Sequence, residues 1–259
     1  MAPLLELDHV SKRFGRVVVA EDLSLAVEPG DAIGIVGPNG AGKTSLFAMV
    51  SGDLSPDAGG IRLDGRVVTR LDAAARCRLG IGRTYQVPRP FEGMTVFENV
   101  LVAAQQGGGE RGHAAFDHTA AVLAEIGLAR EANRSAGTLG LLQRKRLELG
   151  RALATNPRLL LLDEVAGGLT DMEVHELVDL VVRVRSRGVA IVWIEHVVRA
   201  LVAVVDRLIC LSGGRFIGDG LPDEVLASPA VKEVFLGTEA TAESIAEAEA
   251  ALEREAVGA

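Results

Sequence analysis

Residues Gly37 to Thr44 match the phosphate-binding pattern G-x-x-x-x-G-K-[ST] at every fixed position. Glycines in such a loop let backbone N–H groups approach phosphate oxygens, because no Cβ stands in the way. Lys43 would place its charge on the β and γ phosphates of the nucleotide, and the Thr44 hydroxyl would ligate Mg²⁺. The motif therefore predicts a P-loop nucleotidase rather than a chance Gly-rich turn. The residues predicted to bind the nucleotide are Gly37, Pro38, Asn39, Gly40, Ala41, Gly42, Lys43, Thr44 and Ser45.

An acidic pair, Asp163 and Glu164, directly follows the apolar run Leu159 to Leu162. Ligands of open α/β sheets bind at the carboxyl ends of the strands, which is where this pair is expected. There Asp163 would hold Mg²⁺ through water, and Glu164 would polarise the attacking water. The alternative is a pair of solvated acids in a turn, which the P-loop elsewhere in the chain disfavours.

His196 follows a second apolar run, Val189 to Ile194. A lone histidine is usually a surface residue or a satisfied core residue. This histidine is expected at the same sheet edge as the acidic pair, where a neutral imidazole can donate to a phosphate oxygen and hold Glu164 in place.

Alternating strands and helices must position these groups. A buried strand, Ala32 to Val36, leads into the P-loop, and a helix follows from Ser45 to Ser51. The helix N-terminus favours negative charge. A capping box, Thr95-x-x-Glu98, marks another helix start. The pattern predicts an α/β fold with a mainly parallel sheet.

Further predicted strands are Leu4 to Val10, Leu23 to Val27, Leu208 to Leu211 and Arg215 to Gly218, and residues 57–70 have hairpin character. Further predicted helices are Ala114 to Ile126, Leu139 to Ala154 and Glu173 to Arg187.

Composition narrows the partners that this chain can have. It has 259 residues, a formal net charge of −8 and a pI of about 5.2, so nucleic acid is not expected to bind. Cys77 and Cys210 lack CxxC spacing and predict neither a disulfide framework nor a zinc site. The apolar runs are too short to span a bilayer and the N-terminus has no signal core, so the chain is expected in the cytoplasm.

The order of these motifs resembles the nucleotide-binding domain of ABC transporters, over roughly residues 4 to 237. The resemblance is carried by Phe14, the P-loop, Thr84-Tyr85-Gln86, the segment 138–157, Leu159 to Glu164 and Glu195-His196. Within that superfamily the chain is similar to ATP-binding subunits of branched-chain amino acid importers. The segments that carry this closer likeness are Thr95 to Val100, Arg146 to Ala154, Ile194 to His196 and Gly220 to Gly237.

The resemblance implies a P-loop NTPase fold of the ABC type. This fold has a RecA-like parallel-sheet core, an antiparallel β subdomain and an α-helical subdomain at about residues 87–155. A single domain would span 1–237, leaving an Ala/Glu-rich tail at 238–259 without an assigned function. The implied ligands are ATP and Mg²⁺, and the implied activity is transport-coupled ATP hydrolysis.

Several roles follow from the resemblance alone. Phe14 would stack on adenine, although a core phenylalanine is the alternative. Gln86 would contact Mg²⁺ and the water and link the site to the membrane partner, so the implied metal-binding set is Thr44, Gln86 and Asp163. The catalytic set would be Glu164, His196 and Gln86. The stretch 87–102 would receive a helix of that partner, and Gly167 to Thr170 would cross the dimer interface.

The implied partners are two integral-membrane permease subunits, a second ATP-binding subunit and, indirectly, a solute-binding protein. The chain would then lie on the cytoplasmic face of the inner membrane. Branched-chain amino acids are the expected solute by resemblance, and urea, amides or hydrophobic anions are alternatives. This subunit does not contact the solute, so its own residues do not identify it.

The chain departs from the family at the signature segment, which is of the type Leu-Ser-Gly-Gly-Gln. The aligned residues are Leu139 to Gln143, so the serine hydroxyl is missing and Leu142 replaces the second glycine. Thr138 is the nearest hydroxyl that could substitute. Leu211 to Gly214 looks similar but is predicted to be a hairpin turn. In a homodimer both sites would carry the weak signature, so we expect a heterodimer with a related subunit, and a homodimer is the alternative.

Three other classes compete with the transporter hypothesis. A DNA-repair ATPase of the ABC type needs a long coiled-coil insertion, but only about 50 residues without heptads separate Gln86 from the signature. Translation factors of this type usually carry two such domains. A GTPase or a small-molecule kinase is the second alternative. The sequence lacks the Asn-Lys-x-Asp motif for guanine, and the order Gln86, Glu164, His196 favours the ABC type. An inactive scaffold would not need Lys43, Asp163 and Glu164.

Overall fold

Two β-sheets organise residues 2–236, the part of the chain that the computed structural model describes. The smaller sheet is antiparallel, with the strand order β2-β1-β4-β5. Its strands are β1 (Leu5–Phe14), β2 (Val17–Val27), β4 (Ala58–Leu63) and β5 (Arg66–Val67).

The larger sheet has the strand order β10-β9-β3-β8-β7-β6. All neighbouring pairs are parallel except β9 and β10, which form a hairpin. Its strands are β3 (Ala32–Val36), β6 (Ile81–Arg83), β7 (Leu159–Asp163), β8 (Ala190–Ile194), β9 (Arg207–Ser212) and β10 (Arg215–Gly220). The predicted α/β fold with a mainly parallel sheet, and the antiparallel subdomain beside it, are confirmed.

The central strands are apolar at nearly every position because both faces of the larger sheet are covered. Along β7, Leu159 and Leu161 pack into the core that lies against the antiparallel sheet. Leu160 and Leu162 point to the opposite face and pack into a second core that includes most of the helices. Side chains of a strand alternate between faces, so one short run of leucines serves both cores.

Nine α-helices complete the described part of the chain. They are α1 (Lys43–Ser51), α2 (Ala73–Arg78), α3 (Val96–Gln106), α4 (Gly112–Glu125), α5 (Leu141–Leu153), α6 (Asp171–Arg185), α7 (Val198–Val202), α8 (Pro222–Ala227) and α9 (Pro229–Leu236). Helices α3, α4 and α5 pack on one another, and the Phe97 and Phe116 rings lie 5.7 Å apart between centroids. These three helices lie within the predicted helical subdomain, whose bounds at 87–155 stay a prediction. Within residues 2–236, no helix combines the length and apolarity that crossing a membrane requires.

The predicted capping box forms at the start of α3. The Glu98 amide donates to the Thr95 hydroxyl at 3.1 Å, and the Thr95 amide donates to the Glu98 carboxylate at 2.7 Å. Three short elements, β6, α2 and α7, were not predicted, because three to six residues are too few to show a hydrophobic period. The tail predicted at 238–259 lies outside the described residues.

Candidate active site

Four strands of the larger sheet end at the same edge because they run parallel to one another. This common edge collects the candidate residues from distant parts of the sequence. Gly37 follows β3, Glu164 follows β7, His196 lies two residues beyond β8, and Gln86 lies three residues beyond β6.

A cavity of about 390 Å³ lies at this edge. Its walls include most of the P-loop, the two side chains Gln86 and Glu164, and two valines of β2. A volume of this size is typical of small-molecule and cofactor sites. The lining residues are Val17, Val19, Asn39, Gly40, Ala41, Gly42, Lys43, Thr44, Ser45, Gln86 and Glu164.

Two glycines of the P-loop are required by backbone geometry. Gly37 has φ +149° and Gly42 has φ +108°, a range that other residues rarely adopt. A Cβ at Gly37 would lie 2.0 Å from the Leu211 carbonyl oxygen, and a Cβ at Gly42 would lie 2.0 Å from the Val19 carbonyl oxygen. The loop can follow this path only with glycine at both positions.

Lys43 begins α1 and is only 5% exposed. Its Nζ donates to the Gly37 carbonyl at 2.6 Å and to the Pro38 carbonyl at 3.1 Å. Burial lowers the pKa of Lys43, while the carboxylates of Glu164 and Asp163 act in the opposite direction. The ammonium is thus held inside the loop, where nucleotide phosphates would compensate its burial.

Glu164 contacts both of the other predicted catalytic residues. Its Oε1 lies 2.8 Å from Nε2 of His196, and its Oε2 accepts a hydrogen bond from Nε2 of Gln86. The His196 hydrogen bond lowers the pKa of Glu164, and partial burial opposes this shift. The carboxylate is therefore kept ionised and held from two sides at the cavity wall.

Asp163 is 2% exposed and lies at the end of β7. Its Oδ2 faces Arg83, whereas its Oδ1 is buried without a hydrogen-bond partner among the described residues. Burial raises the pKa of Asp163, which Arg83 partly counteracts. A buried oxygen without a partner fits a site for Mg²⁺ or its water, since Mg²⁺ prefers oxygen ligands. Thr44 lines the 390 Å³ cavity, whereas Asp163 is not among the residues that line it.

Sequence reasoning missed three buried charged side chains behind the site. Lys145 on α5 donates to the Glu164 carbonyl at 3.0 Å. The Glu195 carboxylate accepts from the Ala166 amide at 2.5 Å and from the His196 amide at 3.2 Å. Arg83 contacts Asp163. A charged residue that will be buried looks like any other charged residue in the sequence, so no signal was available.

Phe14 lies at the end of β1 and is 52% exposed, so the alternative of a core phenylalanine is wrong. It pairs across the hairpin with Val17, which lines the cavity. The Lys12 ammonium lies 5.5 Å from the centroid of its ring. Phe14 is thus the strand neighbour of a residue that lines the cavity, and contact of its ring with adenine stays a prediction.

The signature segment is an extended entry into α5. Residues 136–138 form a short 3-10 turn, and Gly140 occupies the N-cap position of α5, so the helix begins two residues later than predicted. The Thr138 hydroxyl donates to the Ser135 carbonyl at 2.8 Å and accepts from Arg134 at 2.9 Å. Thr138 is thus engaged elsewhere and does not replace the missing serine. Leu211 and Ser212 end β9, and Gly213 and Gly214 form the turn into β10, so the predicted hairpin is confirmed.

Comparisons with known proteins point to one family. The family model described as ABC transporter matches residues 20–167. The high-affinity branched-chain amino acid transport ATP-binding protein BraF of Pseudomonas aeruginosa is 35% identical over 250 residues, covering 91% of this chain and 98% of that protein. The lipopolysaccharide export system ATP-binding protein LptB of Acidithiobacillus ferridurans is 34% identical over 240 residues, covering 92% and 98%.

A solved structure is similar over nearly its whole length. It is the ADP conformation of an ATP-binding cassette of an ABC transporter, with a TM-score of 0.81 and 28% sequence identity. The match covers 92% of this chain and 100% of that chain. The fold that surrounds the cavity here is thus similar to one that holds a nucleotide in a solved relative.

Proposed function

We propose that this chain, which belongs to the ABC transporter family and is an ATP-binding, ATP-hydrolysing subunit, drives an importer of branched-chain amino acids. The identity to BraF over nearly the full length supports this class of solute. The similar identity to LptB supports a second candidate, an ATPase of an export complex.

One observation carries the proposed chemistry: the P-loop, Gln86 and Glu164 line one cavity, and His196 contacts Glu164 directly. The backbone amides of the loop and the Lys43 ammonium would bind the phosphates of ATP. Glu164 would hold the attacking water and accept its proton, and His196 and Gln86 would keep the Glu164 carboxylate aimed at that water.

Thr44, Gln86 and Asp163 would hold the magnesium ion. When bound, Mg²⁺ neutralises charge on the phosphates of the nucleotide. The unpartnered oxygen of Asp163 and the hydroxyl of Thr44 give the oxygen donors that this ion prefers.

The proposed assembly contains two permease subunits, a second ATP-binding subunit and, indirectly, a solute-binding protein. In this assembly the chain would lie on the cytoplasmic face of the inner membrane. The missing serine at Gly140 and the leucine at 142 support a heterodimer, because a partner with an intact signature would complete the site built by this P-loop and Glu164.

The first test separates nucleotide binding from hydrolysis. Glu164→Gln should retain ATP affinity and slow hydrolysis by about 10²–10⁴-fold, because the general base is lost. Lys43→Ala should lose measurable ATP binding in titration calorimetry. Arg158→Gln, which removes only an exposed ion pair with Asp64, is the control. Hydrolysis by Glu164→Gln at the parent rate would contradict the assignment of the base.

The second test concerns the solute. The chain should be purified with its membrane partners, reconstituted into liposomes, and assayed for ATP-dependent uptake of leucine, isoleucine and valine. The complex carrying Glu164→Gln gives the background. Uptake of these amino acids by the parent complex alone is expected, and ATP hydrolysis stimulated by lipopolysaccharide instead would favour the export candidate.

A further inference from the structure

Arg83 is a buried guanidinium behind the site, with a side chain that is 8% exposed. Its Nη1 donates to the Ser51 hydroxyl at 2.9 Å and to the Asp53 carboxylate at 2.9 Å. Its Nη2 lies 3.4 Å from Oδ2 of Asp163. One side chain therefore connects the C-terminal end of α1 to the carboxylate at the end of β7.

The planar guanidinium constrains what these contacts can do. Its nitrogens are fixed relative to one another, so binding Nη1 at Ser51 and Asp53 also sets the direction of Nη2. The Tyr85 ring lies 4.8 Å from the guanidinium carbon and covers one face of the group. With its position set in this way, Arg83 holds one particular oxygen of Asp163.

The effect on Asp163 is to distinguish its two oxygens. Oδ2 is turned toward Arg83, and Oδ1 is left buried and without a partner among residues 2–236. A carboxylate that had no such neighbour could rotate about its last bond and present either oxygen. Groups that orient the ligands of a metal ion commonly tune its affinity.

We propose that Arg83 is a positioning residue for Asp163, which it orients so that Oδ1 serves Mg²⁺ or a water bound to Mg²⁺. This inference rests on the proposed Mg-ATP site. Ser51 and Asp53 fix one end of the guanidinium, and the other end of the guanidinium contacts Asp163. The contrasting role is purely structural, in which Arg83 would only tie β6 to the end of α1.

Nucleotide affinity with and without Mg²⁺ separates these two roles. Arg83→Gln and Arg83→Lys should each be combined with Glu164→Gln, so that hydrolysis does not interfere. ATP dissociation constants are measured for the full chain in EDTA and in excess Mg²⁺. Arg158→Gln in the same background is the matched control, because this substitution removes an exposed ion pair with Asp64.

For Arg83→Gln we expect the ATP dissociation constant in EDTA to be unchanged. The factor by which Mg²⁺ strengthens ATP binding should be about 10–100-fold smaller than in the Glu164→Gln parent. Arg83→Lys keeps the positive charge but lacks the two guanidinium nitrogens that reach both sides. It should therefore retain part of the strengthening of ATP binding by Mg²⁺. An undiminished strengthening in Arg83→Gln, or equal losses with and without Mg²⁺, would overturn the positioning role. If the Glu164→Gln parent showed ATP binding that Mg²⁺ did not strengthen, the metal site itself would be refuted as well.

Discussion

Glu164 combines a strained backbone with a side chain that is held on both sides. Its φ is +48°, a left-handed conformation that costs a non-glycine residue about 1–2 kcal/mol. Its amide donates to the Ile194 carbonyl at 2.9 Å, and its carbonyl accepts from Lys145 at 3.0 Å. These contacts maintain the strained conformation, which directs the carboxylate toward His196 and Gln86.

At the scale of single residues, the contact between His196 and the Glu164 carboxylate can be removed by one substitution. His196→Ala should leave ATP affinity unchanged and slow hydrolysis by about a hundredfold, because the carboxylate loses its orientation. The measurement is steady-state ATPase activity beside equilibrium ATP binding. His175→Ala is the control, since that ring is exposed and hydrogen-bonds through Nδ1 to the Asp171 carbonyl in its own helix α6. Equal activities in the two variants would show that His196 is not needed.

At the scale of elements, the P-loop is held by strands from both sheets. Val19 of β2 contacts the loop at Gly42, and Leu211 of β9 contacts it at Gly37. The Gly214 amide also donates to the Ala41 carbonyl at 3.1 Å. The antiparallel sheet thus helps to form the site as well as the core. Because these contacts involve carbonyl oxygens, the backbone itself sets the shape of the cradle.

Gly42 and Gly40 give a matched pair for testing this packing. Gly42→Ala should lower the free energy of unfolding by about 3 kcal/mol, because a positive φ and a clash with the Val19 carbonyl add together. Gly40 also has a positive φ, of +81°, but a Cβ there would have no neighbour within 4 Å. Gly40→Ala should therefore cost only about 1–2 kcal/mol. Urea unfolding of the nucleotide-free chain gives both values, and equal losses would rule out the clash.

At the scale of the whole molecule, the signature segment would decide how two ATP-binding subunits share their sites in the proposed assembly. Gly140 is exposed, adopts the extended N-cap conformation, and has open space where a Cβ would stand. The Leu141 side chain lies 3.3 Å from the Cβ position of Gly168, in the loop that follows β7. The backbone of the segment has the conformation of an ordinary helix start. The segment therefore differs from the family signature in its side chains, because a hydroxyl is missing and leucines replace glycines.

Restoring the serine and the second glycine of the signature should raise the activity of the isolated chain, with Leu141 left at the position of the first glycine. The double variant Gly140→Ser, Leu142→Gly regains a hydroxyl that can donate to phosphate and lets the backbone approach more closely. A hydrogen bond to a charged group contributes about 1.5–3 kcal/mol, so the ATPase rate should rise by about tenfold or more. The rate is measured for the chain alone across protein concentrations. Full cooperative activity of the unaltered chain alone would refute the heterodimer.

Much of the site could be predicted because the P-loop, the acidic pair and His196 follow directly on strands with clear hydrophobic patterns. The same pattern predicted the parallel sheet, and hence the edge at which these groups meet. Thr95 and Glu98 marked the start of α3 correctly because both partners of a capping box lie within one turn. The start of α3 could be predicted because the residues that interact there are three positions apart in the sequence.

The sequence by itself determined the phosphate-binding loop, the longer strands and helices, and the residue types available for chemistry. Only the tertiary structure decided that Arg83 contacts Asp163, that Lys145 contacts the Glu164 backbone, and that the Thr138 hydroxyl is engaged elsewhere. Local patterns depend on the conformational preferences of neighbouring residues. The long-range ion pairs depend on tertiary packing, which determines which charged side chains are buried next to each other. A buried charge must find a partner, and that partner can lie 80 positions away in the chain.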